Sequence, residues 1–185
     1  EMGATTSVFP SDEVVHQFFI KQQREEDWIE LLPDEDATYD EEIIINLNEL
    51  TPLVAQPDMP DNVIAIKDLP TQVKIDQVFI GSCTNASYTD LAKAAAILKG
   101  HTVHPDVSLV VAAGSRQIFS MALRDGIIST LVDAGARILE CGCGPCVGIG
   151  QAPRTNGVSL RTSNRNFKGR SGTLDASIYL SSPEV

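Results

Sequence analysis

Short apolar segments alternate with amphipathic segments over residues 77–140, and this alternation constrains the fold more than any other feature. QVFIG (77–81), SLVVAA (108–113) and RILE (137–140) are predicted strands, and the stretches between them carry helical patterns. Apolar strands without polar alternation are typical of a parallel sheet that is covered on both faces. We therefore predict an α/β fold, a three-layer α/β/α domain with a mostly parallel sheet.

The residues before this alternation have a different character. Residues 10–32 are predicted to form one or two helices, because capping residues at the start are followed by apolar side chains at helical spacing. The β-branched run IIINL (43–47) is predicted to be a strand. An acidic connection over residues 33–42 joins these two elements.

The proline-rich stretch 51–70 has weak periodicity and is predicted to be an irregular linker. A domain boundary near residue 68 then divides the chain into two parts, 1–68 and 69–185. The chain starts with Glu1 rather than an initiator Met. We therefore expect a domain taken from a longer protein.

The charge balance narrows the class of partner. The chain has 25 acidic and 14 basic residues, for a net charge of −11 at pH 7. Nucleic acid and anionic membranes both require a basic surface, so neither is expected as a partner. The start of the sequence does not resemble a secretory signal, and no apolar run is long enough to span a membrane. We expect a cytoplasmic protein, in which stable disulfides are rare.

Four cysteines are the candidates for chemistry. Cys83 follows the first predicted strand, and Cys141, Cys143 and Cys146 follow the third. In an open α/β sheet, ligands bind outside the carboxyl ends of the strands. These cysteines, although distant in sequence, are therefore expected to meet in one crevice.

Several kinds of site compete for these thiols. CGPC (143–146) is typical of a redox dithiol, but two glycines and a proline follow it where a redox motif opens a helix. Structural zinc needs four ligands and would have to recruit Cys83 and Cys141. An isolated cysteine plus a Cys-x2-Cys pair can instead hold an iron–sulfur cluster by three thiolates, one fewer than an electron carrier uses. The open iron would suit Lewis-acid catalysis, which indicates an enzyme.

Three segments together resemble the aconitase superfamily of iron–sulfur hydro-lyases. They are GSCTN (81–85), CGPCVG (143–148) and SNRNFKGR (163–170), and EMGATTSVFPSDEV (1–14) extends the likeness over essentially the whole chain. The resemblance implies the cluster-bearing third domain with the tail of the second. GATTSVFP and GIGQAP are closer to aconitate hydratase than to isopropylmalate dehydratase or homoaconitase. Conversion of citrate to isocitrate through cis-aconitate is therefore the expected reaction.

The resemblance implies a [4Fe–4S] cluster held by Cys83, Cys143 and Cys146. Backbone geometry alone leaves Cys141 open as a ligand, because residues two apart in an extended chain point to the same side. The Cys-x2-Cys spacing and the likeness to the superfamily favour Cys143 with Cys146. Cys141 is then expected to be a packed, neutral thiol. Because one iron would be exposed to oxygen, the isolated domain is expected to lose its cluster readily.

The resemblance also implies substrate contacts. Asn164, Arg165 and Arg170 fall on substrate-binding positions, and a guanidinium can hold a carboxylate by two hydrogen bonds. The substrate would be a small tricarboxylate or dicarboxylate hydroxy acid. Glu1 matches an acidic residue that assists proton transfer to the leaving hydroxyl.

The resemblance further implies which partners the chain needs. The superfamily's catalytic base lies on a swivel domain outside this sequence, and its upstream domains are outside it as well. The chain alone is thus expected to be inactive and to work with those domains. The large subunit of 3-isopropylmalate dehydratase or homoaconitase is the alternative among hydro-lyases. A thiol redox protein is the alternative from a different class.

Overall fold

The computed structural model describes residues 5–70 and 72–185. The chain separates into two compact units, Glu1–Leu50 and Thr51–Val185. Residues 51–68 belong to the second unit because they contribute strands to its sheet. The domain boundary near residue 68 stays a prediction about the longer protein.

The first unit contains one α-helix among its described residues, α1 (Glu13–Lys21). The Asp12 carboxylate caps this helix by accepting a hydrogen bond from the Val15 N–H at 3.0 Å. Two 3₁₀ helices follow, Glu25–Asp27 and Leu47–Glu49.

The strand predicted for residues 43–47 is wrong, since these residues are exposed and form no strand. No strand in the described part of this unit could pair with them. A lone strand leaves its backbone groups without partners.

The second unit is built on one sheet, with seven strands among the described residues. They are β1 (Leu53–Ala55), β2 (Val63–Ala65), β3 (Gln77–Gly81), β4 (Ser108–Ala112), β5 (Arg137–Ile138), β6 (Val158–Arg161) and β7 (Ser177–Leu180). Their order across the sheet is β2-β1-β7-β6-β3-β4-β5. The five strands from β7 to β5 run parallel, and β1 joins β7 and β2 in antiparallel pairs. The predicted α/β fold with a mostly parallel sheet is confirmed.

The sheet is wider than the sequence predicted. The irregular linker predicted for residues 51–70 is wrong, because β1 and β2 form a hairpin there. Its prolines flank the two strands and remove no ladder hydrogen bond, which is how a sheet edge tolerates proline. Strands β6 and β7 also extend the sheet beyond the region of predicted alternation.

Three helices cover one face of the sheet: α2 (Tyr88–Leu98), α3 (Arg116–Arg124) and α4 (Ile127–Asp133). Leu91 and Leu131 are fully buried in the core between these helices and the sheet. Gly126, at φ 76°, separates α3 from α4. Glycine adopts this left-handed conformation without a steric penalty, so the chain can turn there.

Loops, rather than α-helices, cover the opposite face in the described structure. Phe79, Val110 and Ala112 form a small buried cluster there with Cys146, which lies in the loop between β5 and β6. The third layer is therefore built from the cysteine-bearing segment itself. No helix among the described residues is long and apolar enough to cross a membrane.

Candidate functional site

The carboxyl ends of the parallel strands place the three superfamily-like segments at one edge of the sheet. GSCTN begins at the last residue of β3, CGPCVG lies in the loop after β5, and SNRNFKGR lies in the loop after β6. Because β6, β3 and β4 are parallel neighbours with β5 beyond them, these loops emerge on the same side. The contacts between them decide whether they form one site.

Thr162 links the loop after β6 to the loop that carries Cys83. Its hydroxyl accepts a hydrogen bond from the Gly81 N–H at 2.9 Å, and its carbonyl oxygen accepts one from Asn85 Nδ2 at 2.7 Å. Its own N–H donates to the Phe79 carbonyl oxygen at 3.0 Å. A residue directly after β6 thereby fixes both sides of the turn at Cys83.

The cysteine loop packs against the loop after β6 at a second place. It turns through a 3₁₀ helix, Pro145–Val147, and then through Gly148 at φ 95°. A Cβ on Gly148 would lie 2.3 Å from the Ser171 carbonyl oxygen, so only glycine permits this approach. The two segments are thus held together by a direct backbone contact.

Arg161, the last residue of β6, is fully buried under the cysteine loop. Its guanidinium group donates five hydrogen bonds, to Gln77 Oε1, Ser159 Oγ and the carbonyl oxygens of Pro145, Cys146 and Gln151. Arg161 was not among the predicted site residues, because VSLR (158–161) was not predicted to be a strand. An arginine at the end of a short run that begins with the β-branched Val158 was the pattern that could have found it.

The surroundings of Arg161 shift its proton affinity. Burial lowers the pKa of the Arg161 guanidinium to about 10, Cys146 opposes this shift, and the neighbouring Arg170 adds to it. The group therefore stays charged at neutral pH. Its carbon Cζ lies 5.4 Å from the centre of the Phe79 ring, a cation–π distance.

The four cysteines are free thiols in different environments. Cys83 and Cys143 are exposed, and Cys146 is buried in the small cluster opposite the helices. Cys141 is half-buried and packs against the helix-side core. Cys141 and Cys146 thus contact different apolar clusters.

The predicted cluster ligands do not form a closed metal site. In residues 5–70 and 72–185, no three His, Cys, Asp or Glu side chains lie close enough together to hold a metal ion. The donor chemistry nevertheless fits, because thiolates are the usual ligands of an iron–sulfur cluster.

Arg170 lies beside the buried cysteine. Its Nη2 donates to Cys146 Sγ at 3.8 Å, while its Nη1 is buried and has no hydrogen-bond partner among the described residues. The hydroxyl groups of Ser163 and Ser171 are buried without a described partner as well. Buried polar groups are normally satisfied, and each exception calls for a physical reason. A polar or anionic group bound beside Arg170 Nη1 would satisfy that donor.

The remaining predicted site residues are placed less uniformly. Asn164 and Arg165 are exposed in the same loop as Arg170, on the side open to solvent. Glu1 lies outside the described residues. The structure therefore brings Cys146 and Arg170 into contact. Asn164 and Arg165 lie in a neighbouring exposed segment of the same loop.

These features define a class of α/β protein. In this class, loops that bear cysteine and arginine residues lie at the carboxyl edge of a parallel sheet. A family model, Aconitase family (aconitate hydratase), matches residues 1–73 and 68–185, which together span the chain. The chain belongs to the aconitase family, and the resemblance drawn from its motifs is confirmed.

Curated relatives are similar along almost the whole chain. The 3-isopropylmalate dehydratase large subunit 1 of Thermotoga maritima is 48% identical over 185 residues, which cover 99% of this chain and 44% of the relative. The homoaconitase large subunit of Thermus thermophilus is 45% identical over 187 residues, covering 100% of this chain and 43% of the relative. The methanogen homoaconitase large subunit of Methanocaldococcus jannaschii is 43% identical over 194 residues, covering 100% and 46%. The chain thus spans less than half the length of these relatives.

These relatives correct one expectation from the sequence. Aconitate hydratase was the preferred member of the superfamily, whereas the relatives are large subunits of 3-isopropylmalate dehydratase and homoaconitase. The short segments GATTSVFP and GIGQAP were too few to separate the members. The alternative stated for the hydro-lyase class is the better supported one.

The role of Thr162 generates a test. Thr162→Val keeps the shape of the side chain but removes the hydroxyl that accepts from the buried Gly81 N–H. Leaving a buried donor unsatisfied costs about 1–3 kcal/mol, so the Gly81 amide should exchange with solvent about fivefold faster or more. Thr162→Ser retains the acceptor and is the matched control. Equal Gly81 exchange rates in the Val variant and the unaltered chain would contradict this role.

Proposed function

We propose that this chain is the cluster-bearing part of a hydro-lyase large subunit, of the kind that acts as 3-isopropylmalate dehydratase. Homoaconitase is the second member that the relatives support, since they include large subunits of both enzymes. The reaction would remove and re-add water on a small hydroxy acid that carries two or three carboxylates. Contact among the three superfamily-like loops at one sheet edge is the observation that carries the proposal.

In this proposal a [4Fe–4S] cluster is held by Cys83, Cys143 and Cys146. When bound by three thiolates, the cluster supplies one iron that is open to act as a Lewis acid on a substrate hydroxyl and carboxylate. The burial of Cys146 supports its role as a ligand, because packing against Phe79, Val110 and Ala112 holds this cysteine in one position. The packing of Cys141 into the other core supports its exclusion.

Substrate would then lie against the loop after β6. Arg170 is held next to Cys146, and its buried Nη1, which has no partner among the described residues, can donate a hydrogen bond to an anionic oxygen. Arg165 and Asn164 extend the same loop into solvent, where a carboxylate or hydroxyl can be met. An arginine fork suits a carboxylate better than a lysine would, because it offers two parallel hydrogen bonds.

The proton transfers need groups beyond the described site. Elimination of water requires a positioned base and an acid for the leaving hydroxyl. We propose that Glu1 assists the leaving group and that the base comes from a partner subunit or a further domain. The relatives are named large subunits, which supports a partner of this kind. The chain alone would then be inactive.

The thiol redox alternative has weaker support. A redox Cys-x2-Cys pair uses an exposed, activated cysteine at the start of a helix. Here Cys143 is exposed, but CGPC is followed by no α-helix: the segment forms a three-residue 3₁₀ turn that ends at Gly148. The missing helix argues against thiol exchange, so the hydro-lyase is the function we propose.

The substrate can be tested with the full-length protein and its partner subunit after anaerobic reconstitution. We expect kcat/KM for 3-isopropylmalate to exceed that for isocitrate by about tenfold or more, the scale on which an apolar substrate group is discriminated. Ultraviolet absorbance of the unsaturated product follows both reactions. A preference for isocitrate would instead return the assignment to aconitate hydratase.

The cluster ligands can be tested separately by iron content. Cys83→Ala, Cys143→Ala and Cys146→Ala should each abolish stable iron binding, because each removes one of only three thiolates. Cys141→Ala is the matched control and should keep the iron while losing about 1 kcal/mol of stability from its packed sulfur. Loss of iron in the Cys141 variant together with retention in the Cys143 variant would reverse the assignment.

A further inference from the structure

The buried side chain of Arg161 is attached to the sheet on one side. Its Nη2 donates to Gln77 Oε1 at 2.9 Å, and its Nε donates to Ser159 Oγ at 3.0 Å. The Ser159 hydroxyl in turn donates to the same Gln77 oxygen at 2.7 Å. All three side chains are buried on the paired strands β3 and β6, so the sheet holds the guanidinium in a fixed position.

On its other side Arg161 binds only the backbone of the cysteine loop. Its Nη1 donates to the carbonyl oxygens of Pro145 at 3.3 Å and Cys146 at 3.4 Å, and its Nη2 donates to that of Gln151 at 2.9 Å. These carbonyls lie before and after the turn at Gly148. One side chain therefore ties both ends of this turn to the sheet.

The energetics make this arrangement specific. A guanidinium has five N–H donors, and all five are used here. None of the salt bridges between described residues includes Arg161, so the hydrogen bonds that offset its desolvation all go to neutral acceptors. Burying a charge costs several kcal/mol unless its hydrogen bonds are made. A loop that moved away would leave that charge unsatisfied, and this cost holds the loop in place.

We propose that Arg161 is the positioning residue of the cysteine loop, which it clamps to β3 and β6 so that Cys146 is presented for ligation. The ligation part of this inference rests on the proposed function, whereas the clamp does not. Arg170 contacts the Cys146 sulfur itself, whereas Arg161 contacts only the backbone on either side of the turn. The two arginines thus have different roles toward one cysteine.

The test compares Arg161→Met and Arg161→Lys with a control, Arg154→Met. Methionine fills the space without donors, and lysine keeps the charge but loses the planar fork. Arg154 is an exposed arginine whose Nη2 lies 2.6 Å from Asp76 Oδ1, and it precedes the same strand. Far-ultraviolet circular dichroism checks that each variant folds.

The first readout is amide hydrogen exchange in the full chain without iron. The Ile149 N–H donates to the Gly144 carbonyl oxygen at 2.9 Å, and the Gln151 N–H donates to that of Gly148 at 3.1 Å, so both report opening of the loop. In Arg161→Met we expect these amides to exchange about tenfold faster or more, with those of β4 and α2 unchanged. Arg161→Lys should be intermediate, and Arg154→Met should match the unaltered chain.

The second readout is iron content of the full-length protein after anaerobic reconstitution. We expect Arg161→Met to retain less than half of the iron and Arg154→Met to retain all of it. Unchanged loop exchange in a folded Arg161→Met variant would overturn the clamp. If that variant does not fold, Arg161→Lys decides in the same way.

The two proposals fail in different ways. Faster loop exchange with full iron content would overturn the part of the inference that concerns ligation. Failure of the unaltered protein to bind iron would defeat the proposed function, while loop exchange would still decide the clamp.

Discussion

Parallel pairing of β3 with β4 and β6 is the constraint on which the site depends. This pairing brings Gly81 within 2.9 Å of the Thr162 hydroxyl, although the two residues are 81 positions apart in sequence. Strand β3 ends at Gly81 and β6 ends just before Thr162, so the loops that follow these two strands start next to each other. Because contacts at such separations lose much chain entropy, they persist only where a packed core supports them. The helix-side core around Leu91 and Leu131 supplies that support.

The same sheet edge concentrates buried polar groups. Arg161 is fully buried, and the hydroxyl groups of Ser163 and Ser171 lie buried without described partners. A core built only for stability would be apolar here, because each such group costs free energy. Beside Cys146, Arg170 Nη1 is also buried without a described partner, and an anionic group bound there would complete its hydrogen bonds. The apolar core on the helix side stabilises the fold, and the polar edge carries the proposed site.

Much of the fold could be predicted from sequence because its central elements are locally encoded. The run QVFIG is β3 itself, and Ser87 and Asp90 form a capping box at the start of α2. The strands at the rim escaped prediction for a different reason. The hairpin of β1 and β2, like β6 and β7, consists of strands of three or four residues that are stable only when paired. Pairing is a tertiary property that short segments do not encode.

Only part of the candidate site could be predicted, because some of its residues depend on tertiary contacts. Cys83, Cys143 and Cys146 were chosen from spacing and family likeness, and the topology places their loops at one edge. Arg161 was missed, since its importance comes from burial and from carbonyl oxygens that any sequence would supply. A residue that acts by contacting backbone atoms requires no particular partner residues, so the sequence contains no pattern that would predict its role.

Anomalous diffraction at the iron edge, from crystals of the reconstituted full-length protein, would test the site most directly. We expect iron density bounded by the sulfur atoms of Cys83, Cys143 and Cys146, with one iron lacking a cysteine ligand and facing the loop that carries Arg170. Iron bound by Cys141, or iron density away from the carboxyl edge of the sheet, would contradict the proposed site.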